Sequence, residues 1–211
     1  MTAEATSTSP TRADAPDPRW RLARAVSDVF SPTLVMPVTQ LLVALAVSPT
    51  TTSALKWAGL TALFTAVIPY AFVLAGVRLG RLSDRNLRAR NQRLIPVLFG
   101  LLTSLVGLAV VHHLGAPREV VAVTVAPIAS IPAFLLVNTL WTKLSIHTGC
   151  MVGSVVVLTI LFGPLVLAVG AVLLTLTGWS RVRLQHHTLG QVLLGGVVGG
   201  AITAATYLLM T

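Results

Sequence analysis

The chain has 211 residues, of which 55% are hydrophobic and only 10% charged, and it carries a formal charge of +9. That balance excludes an ordinary soluble globular domain, in which about a quarter of the residues are charged. It also excludes a nucleic-acid-binding module, because the basic residues lie in short connections between apolar runs and not in a soluble domain of their own. The single cysteine, Cys150, excludes an intramolecular disulfide.

Met1 to Asp17 is rich in Thr, Ala, Ser, Pro and Asp, and shows neither periodicity nor the apolar run of a cleavable signal peptide. Residues 1–18 are therefore expected to form a disordered tail ahead of one membrane-integral helical domain, residues 19–211. Arg19, Trp20, Arg21 and Arg24 read as an interfacial anchor. Seven apolar segments follow, approximately Ser31–Val47, Ala54–Val77, Leu94–Leu114, Val120–Leu140, Ile146–Phe162, Pro164–Trp179 and Thr188–Met210. A crossing takes about 20 helical residues, with about 17 tolerated. As one helix, Ile146 to Trp179 would be roughly 50 Å long, so Gly163-Pro164 is expected to mark a tight hairpin. The expected class is an all-α polytopic transmembrane bundle with six to seven membrane segments.

Counting crossings puts the N-terminal tail and the connections around residues 79–93, 141–145 and 180–187 on one face. That face holds thirteen of the fifteen basic residues, leaving only Lys56 and Arg118 opposite. By the positive-inside rule it is expected to be cytoplasmic, together with the N-terminus.

Three polar clusters share that face: Ser83–Pro96, Lys143–His147 and Ser180–Gln191. Each stands at the start of an apolar run. A helix N-terminus presents unpaired N–H groups and partial positive charge, and guanidinium groups fork onto phosphate oxygens, so a phosphate or diphosphate site is expected. His147 and His187 then offer a nucleophile and a general acid. Gln191, four residues after His187, lies on the same helical face, where its amide oxygen can hold the imidazole.

These residues resemble the three signatures of the type 2 phosphatidic acid phosphatase superfamily, which shares its site with vanadium haloperoxidases: K-x6-R-P, P-S-G-H and S-R-x5-H-x3-D. Ser180, Arg181 and His187 match the third, with Gln191 in place of its aspartate. Ser145 and His147 match the second, with Leu144 and Ile146 replacing its Pro and Gly. Arg93 is the counterpart of the arginine in the first, while Asn86 occupies its lysine position and leaves Arg85, Arg88 or Arg90 to substitute. The resemblance implies attack by His187 on phosphorus, protonation of the leaving oxygen by His147, and phosphoryl binding by Arg93, Arg181, Ser145, Ser180 and Arg85. It also implies chemistry without metal or other cofactor on a lipid or isoprenoid phosphate drawn from the membrane.

Two other readings stay open on the same residues. One is a prenyl diphosphate lyase or cyclase, against which the low aromatic content of 6% weighs. The other is a catalytically degenerate lipid-phosphate binder or transporter, motivated by Gln191. Arg78, Arg81, Arg88 and Arg90 read as topological anchors, His186, His112 and His113 as bystanders, and Cys150 as a packing residue. The pairs Gly195/Gly199 and Gly196/Gly200 read as small faces that draw helices of one bundle together.

Overall fold

The computed structural model describes residues 17–84, 92 and 94–211. The foreseen tail, apart from its last two residues, lies outside the described residues. Asp17 caps the first helix, α1 (Pro18–Val29), by accepting from the Arg19 N–H at 3.0 Å, and Pro18 takes the first helical position, where no N–H is needed. After a 44° bend, α2 (Pro32–Val47) again begins on a proline. A capping box between Thr50 and Ser53 opens α3 (Thr51–Ala62), which continues through a π-helical turn (Leu63–Val67) into α4 (Ile68–Arg78). Then follow α5 (Leu94–His113), α6 (Arg118–Leu140), α7 (Ile146–Phe162), α8 (Leu165–Arg183) and α9 (Leu189–Met210).

All seven foreseen segments form helices, and no strand occurs among the described residues. Gly163 makes the α7–α8 hairpin with φ 88°, a conformation that costs a residue with a Cβ far more than it costs glycine. The sixth segment runs further than foreseen: α8 extends to Arg183, so Ser180 and Arg181 sit in its last turns and not in a loop. Five continuous helices are long and apolar enough to cross a membrane, six if the bent α1–α2 pair is counted as one span, while α7 is apolar but shorter, at 17 residues. Their outer faces are apolar, with Leu165 80% and Leu209 86% exposed, as lipid contact requires and water would not tolerate on this scale.

The bundle is densest around α9, which packs mainly on α7 and α6. The reason is the absence of side chains. A Cβ on Gly199 would stand 2.5 Å from the Gly149 Cα, and one on Gly195 would stand 2.6 Å from the Ser145 carbonyl oxygen. The small-residue face of α9 thus draws two helices of one bundle together, as the sequence suggested. At the end near residues 48–50 and 114–117, Val43, Ala44, Trp57, Val111, Val120 and Tyr207 belong to one buried apolar core. The Lys143–His147 and Ser180–Gln191 clusters lie at the other end.

Candidate active site

The local geometry begins at the end of α8. The Gln185 N–H donates to the Val182 carbonyl at 2.9 Å and the His186 N–H to the Arg181 carbonyl at 3.1 Å, which is a Schellman closure. Gln185 holds the left-handed position, φ 55°, where glycine is usual. The Arg181 carbonyl also accepts from the His187 N–H at 3.3 Å. This turn explains the spacing of arginine and histidine, because the reversal folds His187 back over the residue six positions before it. Arg181 and Arg183, in the last turn of α8, complement the negative end of its dipole.

The second histidine is placed by the close contact between α7 and α9. The Ser145 N–H donates to the Gln191 carbonyl at 3.3 Å and the Thr148 hydroxyl to the Val192 carbonyl at 3.0 Å, so the two helices start side by side. His147, the second residue of α7, thereby comes within electrostatic reach of Arg181, His187 and His186. Lys143 completes this side of the cluster, its Nζ donating to the His186 carbonyl at 3.2 Å.

The sequence did not assign α1 any part in the site, yet it supplies one wall. Arg181 Nη1 donates to the Ser27 hydroxyl at 2.8 Å, and the Ser27 carbonyl faces the His147 ring. Asp28 lies within electrostatic reach of Arg181, and Arg183 forms an ion pair with Asp17. A signal was present: Arg24 and Asp28 stand four apart and pair at 3.5 Å on one face of a helix too polar to be only a membrane anchor.

Inside the cluster Arg181 Nε and His187 Nδ1 are buried and have no partner among the described residues. Burial, followed by the Arg181 and Lys143 cations, pushes the His187 imidazole down to about 4, against a smaller upward pull from Gln191. The ring is therefore neutral at pH 7, with a lone pair available for attack.

Other expected site residues have further employment. Gln191 stands within side-chain hydrogen-bonding reach of His187, as the sequence suggested, and is also tied elsewhere. Its Oε1 accepts from the Thr188 N–H at 3.2 Å, its Nε2 donates to the Thr142 hydroxyl at 3.3 Å, and with Thr188 it forms the capping box of α9. Ser145 is fully buried and caps α7 by accepting from the Thr148 N–H at 3.4 Å. Ser180, equally buried, donates to the Thr177 carbonyl of its own helix at 2.8 Å. Both serines shape the site from beneath. Of the three helix N-termini expected to converge, α7 and α9 do so, and most of the cluster ahead of α5 lies outside the described residues; Arg181 itself arrives from the C-terminus of α8. The capping box leaves the Leu189 and Gly190 N–H groups as first-turn donors that α9 does not satisfy. Arg85 and Arg93 lie outside the described residues.

What assembles is a half-buried pair of histidines, a guanidinium with an unspent N–H, a nearby ammonium and two helix N-termini. This arrangement suits a small anion and a nitrogen nucleophile. No family model, curated protein or solved structure matches the chain.

Proposed function

We propose that the protein is a membrane-integral phosphatase that hydrolyses a lipid or isoprenoid phosphate through a phosphohistidine. One observation carries the reading: Arg181 Nε and His187 Nδ1, both buried and without a partner among the described residues, belong to the same cluster as His147. Buried polar atoms are almost always paired, and a phosphoryl group bound there offers oxygen acceptors to the guanidinium. The resemblance of Ser180, Arg181 and His187 to the third phosphatase signature points the same way.

In the proposed reaction an imidazole nitrogen of His187 attacks phosphorus as the bond to the leaving oxygen breaks. His147, which takes up a proton from water when the negatively charged phosphate binds beside it, gives that proton to the leaving oxygen. Water then attacks the phosphohistidine, the P–N bond breaks, and His147 takes up the proton that water loses. Arg181, Lys143 and the α7 and α9 N-termini hold charge that develops on the phosphoryl oxygens. The arginine asymmetry supports a site that opens to the cytoplasm, which favours phosphates made there or held in the inner leaflet.

The test is a phosphate-release screen over phosphatidate, phosphatidylglycerol phosphate and prenyl mono- and diphosphates, with His187→Ala alongside. Release from at least one substrate is expected, falling by about three orders of magnitude or more in the variant. The commitment of Gln191 to the α9 cap favours one rival, the degenerate binder. Silence of the wild type across the screen, with turnover appearing in Gln191→Asp, would establish that rival instead.

A further inference from the structure

A cavity of about 350 Å³ runs through the bundle next to the histidine cluster. At the polar end its wall includes Pro32 and Thr33 at the start of α2, Asn138 near the end of α6 and Ile146 at the start of α7. Ile146 is the neighbour of His147 in the chain, and Pro32 lies five residues after the α1 residue Ser27 that holds Arg181, just past the α1–α2 bend. The cavity therefore begins beside the anion cluster, whose own side chains do not line it. At its far end it reaches Val123 and Val157, which belong to the buried core. From Ile146 to Val157 it follows three turns of α7, about 16 Å.

Its walls have little to offer water. Hydroxyls that line it are spent on carbonyls of their own helices: Thr39 on Val35 at 2.9 Å, Thr65 on Thr61 at 2.8 Å, Ser104 on Gly100 at 2.7 Å and Ser130 on Ala126 at 2.9 Å. Thr39 is also bonded to Ser154 across the α2–α7 contact at 2.8 Å. The Thr203 hydroxyl and the Asn138 amide add further polar groups to a lining that is otherwise apolar and suits apolar matter. Gly100 leaves part of the space open, since a Cβ there would meet only the Pro69 Cβ, at 3.7 Å.

We propose that this cavity takes the apolar tail of the substrate, and that the tail is a single linear prenyl-type chain and not the paired acyl chains of a diacyl lipid. The inference rests on the phosphatase reading for the position of the head group. The cluster beside its polar end sets which end of the ligand enters last. The volume of about 350 Å³, near the lower bound of pockets that hold small molecules, matches one chain better than two. The floor at Val123 and Val157 makes the cavity a ruler, so chains too long to end within about 16 Å of the phosphate leave carbons outside.

The test uses farnesyl monophosphate with a diazirine at its tail end, photolysed on the full-length His187→Ala protein in detergent micelles so that the probe stays intact. Labelling is expected on Val123, Ala126 or Val157, is competed by unlabelled farnesyl monophosphate, and is not competed by phosphatidate. Gly100→Leu fills the cavity midway; a Cβ there meets only the Pro69 Cβ at 3.7 Å, so the backbone accommodates it. Deep labelling should drop at least tenfold in that variant. Ser104→Leu serves the same purpose if Gly100→Leu does not elute as a folded monodisperse protein. Labelling confined to outward residues such as Leu165 or Leu209, or equal competition by phosphatidate, overturns the tail assignment even if phosphate release is observed. The same diazirine on farnesol separates the two proposals. If it labels the floor as strongly as the phosphate does, the cavity assignment stands and the head-group reading fails.

Discussion

Gln185 carries a cost that its position explains. A side chain in the left-handed region is about 1–2 kcal/mol worse than glycine there, yet the Schellman turn requires that conformation to fold His187 over Arg181. Gln185→Gly is expected to raise stability by about 1 kcal/mol in thermal unfolding without changing the hydrogen bonds to the Arg181 carbonyl. No rise, or a fall, would mean that the Gln185 side chain contributes contacts that outweigh the strain. His187 gives a second prediction, with its sign fixed by burial. Its imidazole titrates near 4 when folded and near 6.5 when unfolded, so between those values the unfolded chain binds more protons. Its contribution to stability is complete above about pH 6.5 and is lost as the pH falls toward 4. Thermal unfolding at pH 7 and pH 4.5 should show a larger loss for the wild type than for His187→Asn. The acid limb of kcat/KM should likewise lie well below 6.5, because that profile reports the free enzyme's nucleophile. Much at this scale was legible: the spacing of Arg181 and His187 is a turn written in sequence. The capping role of Gln191 was not. A residue four after His187 and three after Thr188 satisfies both a ring-holding and a capping pattern, and in the structure it reaches His187, Thr188 and Thr142 together.

Between elements, the contact of α7 with α9 does the positioning that no single residue can. Each histidine sits beside the first turn of one of these helices, and their separation depends on how closely the two backbones approach. Gly199→Ala puts a methyl against the Gly149 backbone, which has no flexible end to yield. Overpacking of this kind costs about 1–3 kcal/mol, and it should also splay the helix starts and lower phosphate release more than that loss of stability explains. Gly59→Ala, inside α3, is the matched control, since its Cβ meets nothing within 4 Å. Similar losses in both variants would show that glycine is needed for helix flexibility and not for approach. The glycine spacing made this contact readable in advance because period-four small residues can serve little else in a membrane. The wall formed by α1 was not readable. Its charges, seen singly, fit an interfacial anchor, and the pairing of Asp17 with Arg183 joins residues from opposite ends of the chain.

The molecule as a whole is polarised along the helix axes. A tight core closes one end, cations and histidines crowd the other, and an apolar cavity joins them. Hydropathy alone placed the seven apolar segments in order, though not α1, because lipid forces every segment within it to satisfy its backbone internally. It carried no trace of the cavity, which depends on which small residues from distant segments face one another. Orientation is the property on which the choice of substrate pool turns. Among the described residues, Arg19, Arg21, Arg24, Arg78, Arg81, Lys143, Arg181 and Arg183 stand at the histidine end, and only Lys56 and Arg118 at the other. With Cys150 replaced by serine, Arg81→Cys and Arg118→Cys supply two exposed single thiols for labelling in intact cells with an impermeant maleimide. Arg118→Cys is expected to label at once and Arg81→Cys only after permeabilisation. The reverse pattern would turn the site outward and make the substrate a phosphate of the outer leaflet. Removing Arg181 from the count leaves the asymmetry intact, so a site that also uses a basic residue for phosphate still predicts the same orientation.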